Sequence, residues 1–251
     1  MNPNRGVYLV VAIIGLWGFA EADLSALSAA EKIKVLIVTG FDAGSHKWKE
    51  TTAQTVATLE ATQRFDVKVS ESVDVFASDL PGTYQVVVLN YGFWQAPDPS
   101  GEAKAGLLKY VLSGGGIVAL HFACSSFQNW AEYRELLGRV WVNGVGGHGP
   151  RGKFDVHVQA ADHPITSGLK DFQADDELYA KLTGEVPIDV LATADSDWSG
   201  KTEPIVFTKM YGQGRVVQNV LGHDTVARDN PSFKELLCRG VEWAATGQVA
   251  P

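Results

Sequence analysis

Residues 107–147 read LLKYVLSGGGIVALHFACSSFQNWAEYRELLGRVWVNGVGG. Leu107, Leu108, Val111 and Leu112 recur at helical spacing up to the glycines at 114–116, and Ile117-Val118-Ala119-Leu120 then forms a short apolar run that stops at His121. The small and polar residues Ala123, Cys124, Ser125 and Ser126 follow, and Trp130, Tyr133, Leu136 and Leu137 mark a second helical stripe. A short apolar run bounded by turn residues reads as a buried strand. Helix, glycine turn, strand, tight turn, helix is the rhythm of an open α/β sheet covered on both faces. Ligands of such sheets sit beyond the carboxyl ends of the strands. His121 falls there, and it is taken as the centre of the predicted site.

The flanking sequence repeats that rhythm. Lys32–Thr39 is a first strand with an unbroken apolar core, and the loop Gly40–His46 opens a helix carrying Trp48, Thr52, Val56 and Leu59. Phe65–Val69 is a second strand; Tyr84–Asn90 is a third, ending in the aromatic turn Tyr91-Gly92-Phe93-Trp94. Ser100 is placed to cap the next helix, whose apolar face is Ala103, Leu107, Leu108, Val111 and Leu112. Asn143–Pro150 is expected to be a loose glycine loop. From Lys153 the pattern alternates, with Phe154, Val156 and Val158 opposite Asp155, His157 and Gln159, as in an antiparallel strand with one wet face. Ile188–Ala192 and Ile205–Thr208 are further strands, and Tyr211–Gly214 turns into Arg215–Leu221, which stops at Gly222-His223-Asp224. Asn230, Pro231 and Gly247 bound a last helix with Phe233, Leu236, Leu237, Val241 and Ala244 on its buried stripe.

The chain has 251 residues, 45% hydrophobic and 20% charged, which suits one large α/β domain over 32–247. A net charge of −8 argues against nucleic acid or an anionic membrane surface as the main partner. Ahead of the domain, Arg5, the apolar run Val7–Phe19 and Ala20-Glu21-Ala22 have the order of a secretory signal over residues 1–22, with a linker over 23–31. The run is shorter than the ~20 residues of a membrane span, although an uncleaved anchor is the alternative. The expected mature protein is therefore exported, periplasmic or extracellular, and free of the membrane. Cys124 and Cys238 allow one bridge or two buried thiols, not a disulfide framework.

His46, His121 and His223 each follow a predicted strand, and His148 lies in the glycine loop, so parallel strands would bring them to one sheet edge. Convergent imidazoles can hold a divalent transition metal, zinc first, or serve as general acid and base. His157 reads as exposed and His163 as a loop brace. Asp175-Asp176-Glu177-Leu178-Tyr179 sets carboxylates beside a tyrosine, either a base or ligand or a solvated acidic turn. Phe93, Trp94 and Trp130 could stack on sugar rings, with core packing the alternative for Trp130; Asp224 is a further candidate substrate contact. No G-x-S-x-G surrounds the turn at His121, which argues against a serine nucleophile; Cys124 with histidine partners would make a cysteine hydrolase. The triple glycine precedes its strand, the wrong side to cradle phosphate, so no nucleotide cofactor is expected.

Taken as an ordered set, GGGIVALH (114–121), W-A-E-Y-R-E-L-L-G (130–138), His148, Asp162-His163-Pro164-Ile165, Asp176-Glu177-Leu178-Tyr179 and GQGRVVQNVLGHD (212–224) resemble the ThuA-like, trehalose-utilisation, family over Lys32–Gly247. The resemblance implies a flavodoxin-like, class I glutamine amidotransferase-like three-layer sandwich with a mainly parallel sheet and an antiparallel portion. It also implies a role in carbohydrate metabolism. His121 stands where true amidotransferases carry their elbow cysteine, so glutaminase chemistry does not transfer. By motif position the site residues are His46, His121, His148, Glu177, Tyr179 and His223. The expected activity is hydrolysis or elimination on a keto-sugar or glycoside, with His121 and His223 holding a metal or polarising the keto oxygen, and His46 or His148 completing the set. Glu177 would be general acid or base and Tyr179 would position it. The competing class is a non-catalytic carbohydrate-binding protein. The expected partner is a small-molecule or oligosaccharide substrate, and a homo-oligomer is open.

Overall fold

The structure is a computed structural model, and it describes residues 31–41 and 44–250. The signal segment 1–22 and all but the last residue of the linker 23–31 lie outside the described residues. From Lys32 onward the chain forms one compact unit. In the first half β1 (Ile33–Val38), α1 (Trp48–Ala61), β2 (Phe65–Ser70), the short α2 (Leu80–Thr83), β3 (Val86–Leu89), α3 (Gly101–Leu112), β4 (Gly116–Leu120) and α4 (Ala131–Leu137) follow one another. The second half is mostly strand: β5 (Gly147–His148), β6 (Gly152–Val158), β7 (Phe172–Asp176), β8 (Tyr179–Ala180), β9 (Asp189–Ser196), β10 (Lys201–Tyr211) and β11 (Gly214–Asn219), before α5 (Thr225–Asp229) and α6 (Pro231–Thr246).

Nine strands form one sheet in the order β2-β1-β3-β4-β11-β10-β9-β6-β7. The first five are parallel, with Val38 beside Leu89, Val88 beside Val118 and Asn219 beside Leu120. The other four join antiparallel. Every residue of β3 and β4 is buried, because helices cover both faces; that is why these strands are continuous apolar runs rather than alternations. On β11, Gly214 faces Val111 of α3 and Val217 faces Gly240 of α6. Positions three apart on a strand point to opposite faces, so α3 and α6 lie in opposite layers.

Local signals account for most boundaries. Ser100 caps α3 by accepting from the Ala103 amide, and Asn230, Pro231 and a left-handed Gly247 bound α6, whose predicted stripe is buried throughout. Two expectations need correction. On α3, Leu112 is exposed and Tyr110 takes its place inside, its hydroxyl donating to the Gly116 carbonyl and its ring lying over Gly115. The glycine loop 143–150 is not loose throughout: Gly147 and His148 pair with Ala180 and Tyr179, and Gly147 is glycine because a Cβ there would lie 2.3 Å from the Trp198 ring. Cys124 and Cys238 are separate buried thiols.

Candidate active site

Three strand ends deliver three imidazoles. His46 sits in the loop between β1 and α1, His121 directly follows β4, and His223 follows β11. His121 has φ +41°, a conformation that costs a non-glycine residue roughly 1–3 kcal/mol. It turns the chain sharply at the strand end and sends a wholly buried ring under the pocket. The fourth group comes from the antiparallel half of the sheet, which reaches back over the parallel edge. Asp176, at the end of β7, is buried and accepts from the amides of Glu177 (2.8 Å), Gly222 (2.5 Å) and His223 (3.1 Å). One carboxylate thereby fixes both the Glu177 and the His223 segments.

Glu177 Oε2 lies 3.0 Å from His223 Nδ1 and 3.7 Å from both His121 Nε2 and His148 Nε2. The backbone partners assign the tautomers. His121 Nδ1 is 2.7 Å from the Val220 carbonyl, and His148 Nδ1 is 2.7 Å from the Gly149 carbonyl. A carbonyl only accepts, so both Nδ1 atoms carry hydrogen and both Nε2 atoms present a lone pair in the neutral ring. His121 Nε2 is buried without a hydrogen-bond partner, and His223 Nδ1, though close to Glu177, makes no aligned hydrogen bond. Lone pairs thus face a carboxylate oxygen, an arrangement that calls for a cation or shared protons.

His46, His121, His223 and Glu177 offer ligand atoms that all lie within 4.8 Å of one another. Zinc–nitrogen and zinc–oxygen bonds of about 2.0–2.2 Å in a tetrahedron place ligands roughly 3.3–3.6 Å apart, so small side-chain movements suffice. Three nitrogens and one carboxylate oxygen suit a borderline-soft divalent ion, and the His121–Val220 bond is the outer contact that commonly orients a histidine ligand. The residues fit such a metal. His148 is not one of the four.

The electrostatics follow from the crowding. Burial, then the neighbouring His121 and His223, lower the His46 imidazole to about 2, so it stays neutral. Burial alone would raise the Glu177 carboxyl, but His121 and His223 outweigh it and hold it far below the usual carboxylate range. Burial likewise opposes charge on His223, and Glu177 overcomes it, raising that imidazole.

A pocket of about 150 Å³ opens over this cluster, lined by Ser45, His46, Phe93, Trp94, Ser125, Trp141, His148, Glu177 and Tyr179. Phe93 and Trp94 lie on its wall. Trp130 does not: it is 3% exposed and stacked on Tyr133, a core residue rather than a sugar platform. Asp224 is also reassigned. It caps α5 through the Ala227 amide and pairs with Arg151, so its oxygens serve the fold. Tyr179 does not orient Glu177; its hydroxyl lies 3.2 Å from His46 Nε2 and its ring covers His121 at 4.0 Å. Glu177, held ionised, suits a ligand or base and not an acid. Cys124 is sealed off, its thiol pushed up to about 12 by burial, which removes the cysteine-hydrolase reading. His157 pairs with Asp171, and His163 accepts from the Ile165 amide as a loop brace.

Two contributors carry no local sequence signal. Trp141 lines the pocket and its indole Nε1 is a buried donor without a partner. Arg228 is fully buried beneath the site. It donates to the Gly222 and Thr51 carbonyls, Thr55 Oγ1 and Asn90 Oδ1, tying α1 to the turn that carries His223.

A family model described as "ThuA: Trehalose utilisation" matches residues 34–244. Among solved structures, a ThuA-like protein from Parabacteroides merdae is 31% identical, with TM-score 0.79 over 88% of this chain and 92% of its own. A ThuA-like protein from Bacteroides uniformis is 18% identical, with TM-score 0.70 over 89% of this chain and 97% of its own, a likeness of fold alone. A cold-adapted β-galactosidase from Rahnella sp. R3 shares the fold at 19% identity and TM-score 0.56, over 83% of this chain and 30% of its own. No curated protein matches the chain.

Proposed function

The chain belongs to the ThuA, trehalose-utilisation, family, and from that premise we propose that it is a carbohydrate-active enzyme that cleaves a keto-sugar or glycoside by elimination or hydrolysis. The observation that carries the reading is the cluster itself: an ionised carboxylate ringed by imidazole nitrogens at the floor of a small, aromatic-walled pocket. His46, His121, His223 and Glu177 would hold a divalent metal, zinc fitting best, and a bound ion supplies Lewis-acid polarisation of a carbonyl oxygen. A keto group acidifies the adjacent C–H, so cleavage then needs a base and no covalent nucleophile.

His148 is the group suited to that proton. It stands outside the ligand set on the short β5 ribbon, its side chain is 33% exposed, and its free Nε2 faces the pocket. Its Nδ1 hydrogen is engaged by the Gly149 carbonyl, so the Nε2 lone pair is the one available to accept a proton. In an elimination, Nε2 takes the C–H proton, the electron pair forms a C=C bond, the glycosidic C–O bond breaks, and Nε2 returns that proton to the departing oxygen, which leaves as the alcohol. Trp141, Phe93 and Trp94 line the pocket and offer apolar surface to the ring C–H groups. The substrate is accordingly a small saccharide. Export follows in this reading from the signal-like order of residues 1–22.

The test combines elemental analysis with turnover. Protein purified without a histidine tag or chelator should carry near-stoichiometric zinc, lost in His121→Ala, and should release free sugar from a keto derivative of trehalose. His148→Gln should keep the metal and lose at least 100-fold in turnover, the usual scale for a general acid–base group. Full turnover by both variants would refute the assignment.

A further inference from the structure

Two residues that line the catalytic pocket, Trp141 and His148, stand at the two ends of one exposed turn. The Trp141 amide donates to the Cys124 carbonyl at 3.0 Å, and Gly147 and His148 pair with Ala180 and Tyr179. Between these anchors the Val142 carbonyl accepts from the Val145 and Gly146 amides, both at 2.9 Å. Asn143 and Gly144 are therefore the central pair of the turn. Gly144 has φ +82°, the value a type II turn asks of its third residue and one that glycine adopts without strain. Asn143, Gly144 and Val145 are all exposed, and a Cβ added at Gly144 would meet nothing within 4 Å. Among the described residues, neither the Asn143 side-chain amide nor the Gly144 N–H has a hydrogen-bond partner.

We propose that Asn143–Gly144 is a self-modification site, at which the chain deamidates and lengthens the segment that joins Trp141 to His148. Asparagine is a labile residue, because the next main-chain nitrogen can attack its side-chain carbonyl. Here the Gly144 nitrogen forms a bond to Asn143 Cγ, the Cγ–Nδ2 bond breaks, and the departing amide nitrogen takes up protons and leaves as ammonia. Water then opens the five-membered imide at either carbonyl. One opening gives aspartate; the other gives isoaspartate, which adds a methylene to the main chain. Both leave a new carboxylate. The reaction needs water alone and is independent of the carbohydrate reading. The other described asparagines each lack a condition for it. Asn90 and Asn219 are buried with engaged side chains. Asn129 precedes Trp130, whose amide is already given to the Phe127 carbonyl. Asn230 precedes Pro231, which has no N–H, and its side chain caps α6. Because the turn is short and held at both ends, an added methylene strains the two-residue ribbon that carries His148.

Ageing of the full chain in mildly alkaline buffer at physiological temperature, followed by peptide mapping with mass spectrometry, tests this. The peptide containing Asn143 should gain the mass of an amide-to-acid exchange and divide into aspartyl and isoaspartyl forms. It should do so at least 10-fold faster than the peptide containing Asn129, the other exposed asparagine of the described residues. Asn143→Gln, which would have to close a six-membered ring, should stay unmodified over the same time. Aged wild type, but not the aged variant, should show faster hydrogen exchange at residues 147–148. Deamidation at Asn143 no faster than at Asn129 would overturn the site. Modified protein whose exchange at 147–148 matches that of fresh protein would overturn its link to the pocket wall.

Discussion

Replacing Asp176 by asparagine exchanges one oxygen for an amide group, and the structure allows its cost to be worked out. Asp176 Oδ1 accepts from the Glu177 and His223 amides and Oδ2 from the Gly222 amide, all at a side chain that is 1% exposed. If the remaining oxygen keeps the Oδ1 position, the new NH₂ meets the Gly222 N–H donor to donor. Hydrogen bonds to a charged group contribute about 1.5–3 kcal/mol, and a buried donor left unmatched costs about 1–3 kcal/mol. We expect a loss of about 2–4 kcal/mol. Native domains have about 5–15 kcal/mol in hand, so the variant should still fold. With a urea slope of about 2–3 kcal/mol/M, the unfolding midpoint should fall by about 1–2 M. Because the same carboxylate fixes both Glu177 and His223, zinc affinity should fall about 10–100-fold as well, the range for outer contacts of metal sites. A midpoint shift below ~0.4 M, under about 1 kcal/mol, with unchanged zinc affinity would refute the clamp.

The neutral His46 makes the chelator-treated protein acid-sensitive. Its folded value, about 2, lies below the ordinary 6.5, so its stabilisation is complete above pH 6.5 and is lost as pH falls from there toward the folded value. Between pH 7.5 and 5.5 this one group should remove about 1.4 kcal/mol, measured as the difference in urea stability between wild type and His46→Gln; equal acid losses in both proteins would contradict it. Trp130→Ala should cost about 3–5 kcal/mol of unfolding free energy, as for other buried aromatic truncations, while leaving sugar and zinc affinities where they were. A large loss of sugar affinity with little loss of stability would return Trp130 to the pocket.

The parallel core was legible because helices on both faces leave β3 and β4 no polar side, and an unbroken apolar run is the direct result. The stopping points of those runs then located His121 and His223 without any knowledge of their partners. What the sequence hid is partnership across distance. Asp175, Asp176 and Glu177 are three consecutive carboxylates with no local difference. In the fold the first pairs with Arg151, the second clamps the turn before α5 and the third enters the pocket. Arg228 lies in a short polar helix and reads as a surface residue, yet its acceptors come from α1, the end of β3 and the turn at Gly222. Trp130 and Trp141 illustrate the same limit: both are tryptophans near α4, one buried in a stack and one lining the site, and only the packing separates them.

The position of β11 has a consequence for the nascent chain. This last strand of the sequence lies in the interior of the sheet, between β4 and β10. As the chain is made from its amino end, the earlier parallel strands and the antiparallel strands can each begin to pair, but the seam between them stays open until residues 214–219 emerge. His223 follows directly behind. Three of the four donor groups therefore exist in the growing polypeptide well before the fourth, and the stretch that closes the seam is immediately followed by the final donor. Chains truncated ahead of β11 would lack His223 and with it the complete set of four donors.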